Sequence, residues 1–141
     1  MNEIRPYREA DLDAVVALWR ECGLTRPWNP PAADIAFVRA SGHGELLIAA
    51  DGERLFGTVM VGHDGHRGWV YYMAVDPTRQ RQGLGTRLLR AAEAWAAARG
   101  VRKLELMIRE TNEAVAAFYA RCGYRSEPVR VMSRWLDQAE A

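Results

Sequence analysis

The chain has almost no excess of either charge: 19 lysines and arginines stand against 18 aspartates and glutamates, a net of +1. A nucleic-acid partner needs a basic stripe or a strongly positive domain, so that class of partner is not expected. No apolar run approaches the roughly 18 residues of a membrane span, and the first residues lack the basic-then-apolar pattern of a secretory signal. The expectation is a cytoplasmic protein without membrane attachment. Cysteine is scarce, with Cys22 and Cys122 alone, and two thiols in such a chain are expected reduced and half-buried. No metal site is expected. Repeats, low-complexity tracts and composition breaks are lacking, so 1–141 reads as a single domain large enough for a core. Neither G-x-x-x-x-G-K-[ST] nor G-x-G-x-x-G is present, which disfavours the two common nucleotide-binding loops.

What is present centres on Trp69 to Arg99. Trp69 to Val75 is a run of aromatic, apolar and β-branched residues, the pattern of a strand covered on both faces. Asp76-Pro77 ends it, because proline lacks the ladder donor. Leu84, Leu88, Leu89, Ala92 and Trp95 recur at helical spacing, and Gly100 stands where a left-handed C-cap belongs. Between strand and helix lies Gln80-Arg81-Gln82-Gly83-Leu84-Gly85. Glycines at a helix mouth let an anion approach the backbone, and the first turn presents unpartnered amides and a positive dipole end. Arg79, Arg81 and Arg87 add charge. The stretch reads as a phosphate cradle, or, as ordinary structure, a glycine-rich turn with surface arginines.

Period and turn chemistry supply the remaining elements. Glu3 to Tyr7 is an edge strand tolerating Pro6, and Asp11 is the expected N-cap of a helix through Cys22. A three-proline connector, Thr25 to Pro31, leads to a weaker helix from Ala32 to Ala40. Glu45–Ala50 and Leu55–Val61 form a hairpin about Asp51-Gly52. Lys103–Ile108 is a further strand, Asn112–Cys122 a helix, and Val129–Trp135 a last strand. This list places the chain among α/β (α+β sandwich) folds.

A second segment carries chemistry: Asn112 and Tyr119 stand seven residues apart, two turns on one helix face, with Ala114, Ala116 and Ala117 between them and Gly123-Tyr124 after. Taken alone these are an N-capping Asn and a core Tyr. Together with Gln80, Gly83 and Gly85, preceded by Met73-Ala74-Val75-Asp76-Pro77, the pattern resembles the Q/R-x-x-G-x-G/A loop and N-x-x-x-x-x-x-Y-x-x-x-G-[FY] segment of the Gcn5-related N-acetyltransferase (GNAT) family, and in particular its short YpeA-type members. The resemblance runs from Ile4 to Trp135.

That resemblance implies a mixed, mostly antiparallel twisted sheet of six to seven strands with four helices, in the order β-α-α-β-β-β-α-β-α-β, splayed at its central strands. It implies acetyl-CoA as acyl donor, held by Met73, Ala74, Val75, Arg81, Gln82, Gly83, Leu84, Gly85, Thr86, Asn112 and Tyr119. A primary amine, on a small molecule or peptide, would attack the thioester directly while backbone amides near Met73–Val75 hold the oxyanion. Tyr119 would act as general acid for the departing thiolate. No base carries over, since the two places where relatives hold a glutamate are here Met107 and Trp69 or Val70. His63, Asp64, His66, Tyr71, Tyr72, Glu105 and Glu110 remain as candidates, beside a water chain or an acceptor arriving neutral. Acceptor contacts are assigned to Arg26, Trp28, Asn29, Asp64, His66 and Tyr72, with Arg67 and Arg109 as anion partners for an amine bearing a carboxylate. A homodimer is compatible with the family. The competing readings are an acyl-CoA-binding regulatory module without turnover and a structural α/β domain.

Overall fold

A strand period through the middle third of the chain sets the architecture. In the computed structural model, which describes residues 3–138, one sheet runs in the order β1-β2-β3-β4-β5. Its strands are β1 (Glu3–Pro6), β2 (Gly44–Asp51), β3 (Arg54–His63), β4 (Gly68–Val75) and β5 (Leu104–Leu106). The first three pairings are antiparallel, and β4 pairs β5 in parallel. Pro6 is accommodated because β1 is an edge, paired to β2 alone. The helices are α1 (Leu12–Glu21), α2 (Pro31–Ser41), α3 (Leu84–Ala98) and α4 (Glu113–Arg121).

The chain divides into two compact units, Met1–Met107 and Ile108–Ala141. In the first, β2 shows why the strands are almost wholly apolar. Leu46, Ile48 and Ala50 join Val15, Trp19 and Ile35 in the core beneath α1 and α2. Leu47 and Ala49, one residue out of phase, are equally buried because the sheet is covered on its other face as well. There α3 lies close over β3: a Cβ on Gly57 would come within 2.8 Å of Leu88 Cδ1 and 2.9 Å of the Ala74 carbonyl. Leu88 and Leu89 are fully buried in α3, and truncating such a leucine to alanine costs about 2–5 kcal/mol.

Several sequence expectations shift. Asp11 does not cap α1 with its side chain. Its carboxylate instead takes two hydrogen bonds from the Arg5 guanidinium (2.8 and 2.9 Å) and one from the Arg8 amide (2.8 Å), which inserts a 3₁₀ turn, Glu9–Asp11, ahead of the helix. The Arg5 guanidinium holds the Asp11 carboxyl below its usual range. β4 is not sealed on both faces along its length, since Tyr71 is 44% exposed. β5 is three residues rather than six. Residues 129–135 form no strand, so the sheet has five strands where six to seven were expected. The segment alternates too weakly to choose a buried face: Val129, Val131 and Met132 are all exposed, Met132 at 92%.

In the second unit Asn112 caps α4 by accepting from the Val115 amide at 3.2 Å. Cys122 ends the helix, and Gly123 follows with φ +97°, a left-handed exit that glycine adopts at no steric cost.

Candidate active site

The parallel ladder between β4 and β5 covers Gly68–Val70 against Leu104–Leu106 and then stops. From Tyr71 to Val75 the β5-facing backbone groups of β4 have no ladder partner among the described residues. This is the splay anticipated at the central strands, and it leaves backbone donors for something other than the sheet. The opposite edge of β4 is irregular at the same level: the register against β3 slips between Thr58 and Met60, and Tyr72 adopts φ +51°. A bulky residue in that region is strained by about 1–3 kcal/mol and persists only where its surroundings over-determine it.

They do so here. The Trp19 indole N–H donates to Thr58 Oγ1 at 2.9 Å, and the Thr58 hydroxyl donates to the Tyr72 carbonyl at 2.8 Å. Trp19 and Thr58 are both fully buried. The Tyr72 ring stacks on Trp19 at 3.8 Å with 9° between planes, and its hydroxyl donates to Asp34 Oδ2 at 2.6 Å. Burial and the Asp34 contact both push the Tyr72 phenol up.

Beyond Val75 the chain turns into the glycine loop. Asp76 Oδ1 accepts from the amide and hydroxyl of Thr78 at 2.9 and 2.8 Å, the local bonding for which Asp is favoured at such turns. Arg81 and Gly83 take left-handed φ values of +68° and +75°, and Gly83 is the N-cap of α3. The first hydrogen bond of the helix runs from the Arg87 amide to the Gly83 carbonyl, so the amides of Leu84 and Gly85 lie ahead of it. A Cβ on Gly83 would meet nothing within 4 Å. Arg81, Gln82, Gly83, Thr86 and Arg87 are all exposed. The helix mouth is therefore open to an anion, with amides and the dipole directed at it. Arg79 lies over the Phe56 ring at 4.0 Å and Arg54 at 5.3 Å.

The connector ahead of α2 is held by Arg26, whose guanidinium donates to the Gly23 and Thr25 carbonyls at 2.9 and 2.8 Å. Arg26 and Asn29 close an isolated antiparallel bridge, and Trp28 is 53% exposed. Arg26 thus spends one guanidinium nitrogen on backbone carbonyls, which fixes the connector. Cys22 Sγ donates to the Val75 carbonyl at 3.5 Å, and burial pushes its thiol up, away from the nucleophilic thiolate.

Asp64 and His66 lie elsewhere. They sit in the turn before β4, ~20 Å from Val75 at about 3.3 Å per strand residue. Asp64 Oδ1 accepts from the His66 and Arg67 amides at 2.8 Å each, and Oδ2 from the Trp69 indole at 3.2 Å. Those backbone bonds hold its carboxyl down at about 2. Asp64 organises a turn, and neither residue joins the open end of β4. Arg67 pairs with Glu105 at 3.7 Å, which occupies two further candidates.

In the second unit Tyr119 is buried, with its ring 5.0 Å from Phe118 and 5.8 Å from Tyr124. Burial pushes its hydroxyl up to about 12, so it is a protonated donor throughout the physiological range. Asp34 and Thr58 were missed by sequence reasoning. Thr58 lies inside an apolar strand, and only its polarity at a buried position marks it. Asp34 reads as an ordinary first-turn acid of a helix.

Comparison with known proteins agrees with this picture. The model of the Acetyltransferase (GNAT) family matches residues 12–124. An acetyltransferase of Pectobacterium atrosepticum is 40% identical over 124 residues, 88% of each chain. Aminoglycoside N-acetyltransferase AAC(6')-Iy in complex with CoA shares the fold with a TM-score of 0.83 at 15% identity, over 96% of this chain and 95% of that one. An acetyltransferase from Clostridium acetobutylicum, solved with acetyl-CoA, gives a TM-score of 0.78 at 16% identity, over 99% and 100%. Fold and family together define an acyltransferase. The chain belongs to the acetyltransferase (GNAT) family.

Proposed function

We propose that this protein is an acetyl-CoA-dependent N-acetyltransferase that moves the acetyl group to a primary amine by direct attack. The observation that carries the reading is the end of β4, where a strand released from β5 leads through the Asp76–Gly83 loop into the Gly83-mouthed helix. Acetyl-CoA carries a pyrophosphate and an amide-bearing arm. The loop from Arg81 to Thr86, exposed at Arg81, Gln82, Gly83 and Thr86, suits the first through backbone amides and the helix dipole. The β5-facing edge of Met73–Val75, which has no ladder partner among the described residues, suits the second, as an added strand would.

In the second unit the family motif allots Asn112 to the same arm. Its carboxamide oxygen is spent on the Val115 amide, which leaves its NH₂ group as the donor to substrate. Tyr119 is the general acid. The neutral amine attacks the thioester carbonyl, a β4 amide donates to the oxyanion, and the C–S bond breaks as Tyr119 gives its proton to the sulfur. The ammonium proton of the attacking nitrogen passes to solvent, because Met107 and Trp69 supply no carboxylate where relatives have one. The product is an amide and free CoA thiol.

The test is amine-dependent release of thiol from acetyl-CoA across a panel of primary amines, with product mass as a second readout. Release that rises with amine supports transfer. Tight acetyl-CoA binding with no amine-dependent release would instead identify a binding module.

A further inference from the structure

Resting on that reading, we infer that Asp34 is the specificity-determining residue of the acceptor site, and that the acceptor is a small amine carrying a second positive charge. The argument begins with the strained residue. Tyr72 stands beside Met73–Val75, its backbone fixed by the Trp19–Thr58 chain and its ring by Trp19. Its hydroxyl is thereby aimed across to α2 and meets Asp34 at 2.6 Å. A first-turn aspartate needs no partner beyond the helix dipole and water. This one is instead drawn onto the sheet at the strand that opens for substrate.

One phenol satisfies one of the roughly four acceptor positions of a carboxylate. Asp34 forms no ion pair with any cation among the described residues, and its side chain takes no second hydrogen bond there. It is partly exposed. Arg39 is paired with Glu9, and Arg26 turns its guanidinium to the Gly23 and Thr25 carbonyls rather than to Asp34. Asp34 therefore brings to β4 a negative charge that no ion pair among the described residues offsets. That selects an ammonium and repels a carboxylate, the reverse of an amino-acid acceptor. Trp28, exposed in the connector leading into α2, offers an aromatic face of the kind that accepts cations.

The test uses two flexible amines whose far ends carry opposite charge, spermidine and 6-aminohexanoate, titrated into the full chain in the presence of CoA. Asp34→Asn keeps the size and the acceptor oxygen for Tyr72 but removes the charge. Spermidine should bind more tightly than 6-aminohexanoate. Asp34→Asn should weaken spermidine about tenfold, the loss of one charge-assisted contact, while binding of 6-aminohexanoate holds or improves and acetyl-CoA affinity is unchanged. In turnover the loss should fall on KM for the amine with kcat nearly constant, and Asp34→Glu should restore most of it. An unchanged spermidine affinity in Asp34→Asn, or wild-type preference for 6-aminohexanoate, overturns the inference. The wild-type comparison decides the matter even if the variant fails to fold. Charge-dependent spermidine binding without thiol release would overturn the transferase reading and leave Asp34 as the charge-selecting residue of an amine-binding site.

Discussion

At its N-terminal end β4 is fastened on both sides: Gly68–Val70 pair with β5, and Trp69 and Gly68 pair with β3. The turn leading in is closed by Asp64, whose two oxygens are occupied by two amides and an indole. At its C-terminal end the same strand has lost β5, slips register against β3 and holds Tyr72 in a left-handed conformation. Both ends carry an aspartate bonded to an aromatic side chain, and candidate proton-transfer groups. The difference is whether polar groups are spent. Around Asp64 the hydrogen bonds go to the protein itself, so the cluster is structural. Near Tyr72 backbone donors and one carboxylate have capacity left, and strain is maintained by buried neighbours. Chemistry belongs where polar capacity is unspent in a fixed frame.

Three substitutions break or sharpen that contrast. The largest effect is expected outside β4 altogether. If the open end only holds and orients, the proton must come from elsewhere, and Tyr119→Phe should lower kcat by about 100-fold or more with acetyl-CoA affinity retained. Because the hydroxyl titrates at about 12, the wild-type rate should show no loss attributable to phenol ionisation below about pH 10. The same raised value means the folded state holds its proton longer than the unfolded one. This contribution to stability is full below the ordinary pKa of 10.0 and is lost as pH rises toward 12, which alkaline melting would record.

Thr58→Val comes next. It strands the Trp19 indole N–H and releases the Tyr72 carbonyl, and an unsatisfied buried donor costs about 1–3 kcal/mol. Urea unfolding should report that loss, with amine KM rising as Tyr72 and Asp34 lose their frame. A Thr58→Val protein with unchanged stability and KM would mean the relay does not hold the open end. Asp64→Ala should be the smallest change: the turn loosens, yet kcat and both KM values stay within about twofold. A large loss of turnover there would return Asp64 and His66 to the site and erase the distinction between the two ends.

Much of this was legible in the sequence, for identifiable reasons. The β4–loop–α3 unit was read from proline and glycine chemistry, and Gly83 and Gly100 take the left-handed conformations that glycine at such positions announces. The parting of β4 from β5 followed from the family resemblance, since no residue pattern marks where a parallel ladder stops. The last strand was misjudged because Val129, Val131 and Trp135 have strand propensity, which reports fit to a half-buried surface rather than the existence of a partner. The bonds that Asp64 makes to the His66 and Arg67 amides could not be read in the sequence, because an exposed acid in a turn looks alike whether its oxygens face solvent or cap amides. Asp34 was invisible because its meaning depends on Tyr72, 38 residues away.

The most direct test of the central claim is titration of acetyl-CoA into the wild type and Gly83→Gln, followed by heat of binding. Gly83 combines φ +75° with open space before the helix mouth, so a glutamine there both strains the cap and fills the anion's approach. Saturable wild-type binding, weakened by about 30-fold or more in a variant that melts cooperatively, is the result predicted from loss of charge-assisted amide contacts. Equal binding by the two proteins, or none by the wild type at millimolar ligand, would contradict it.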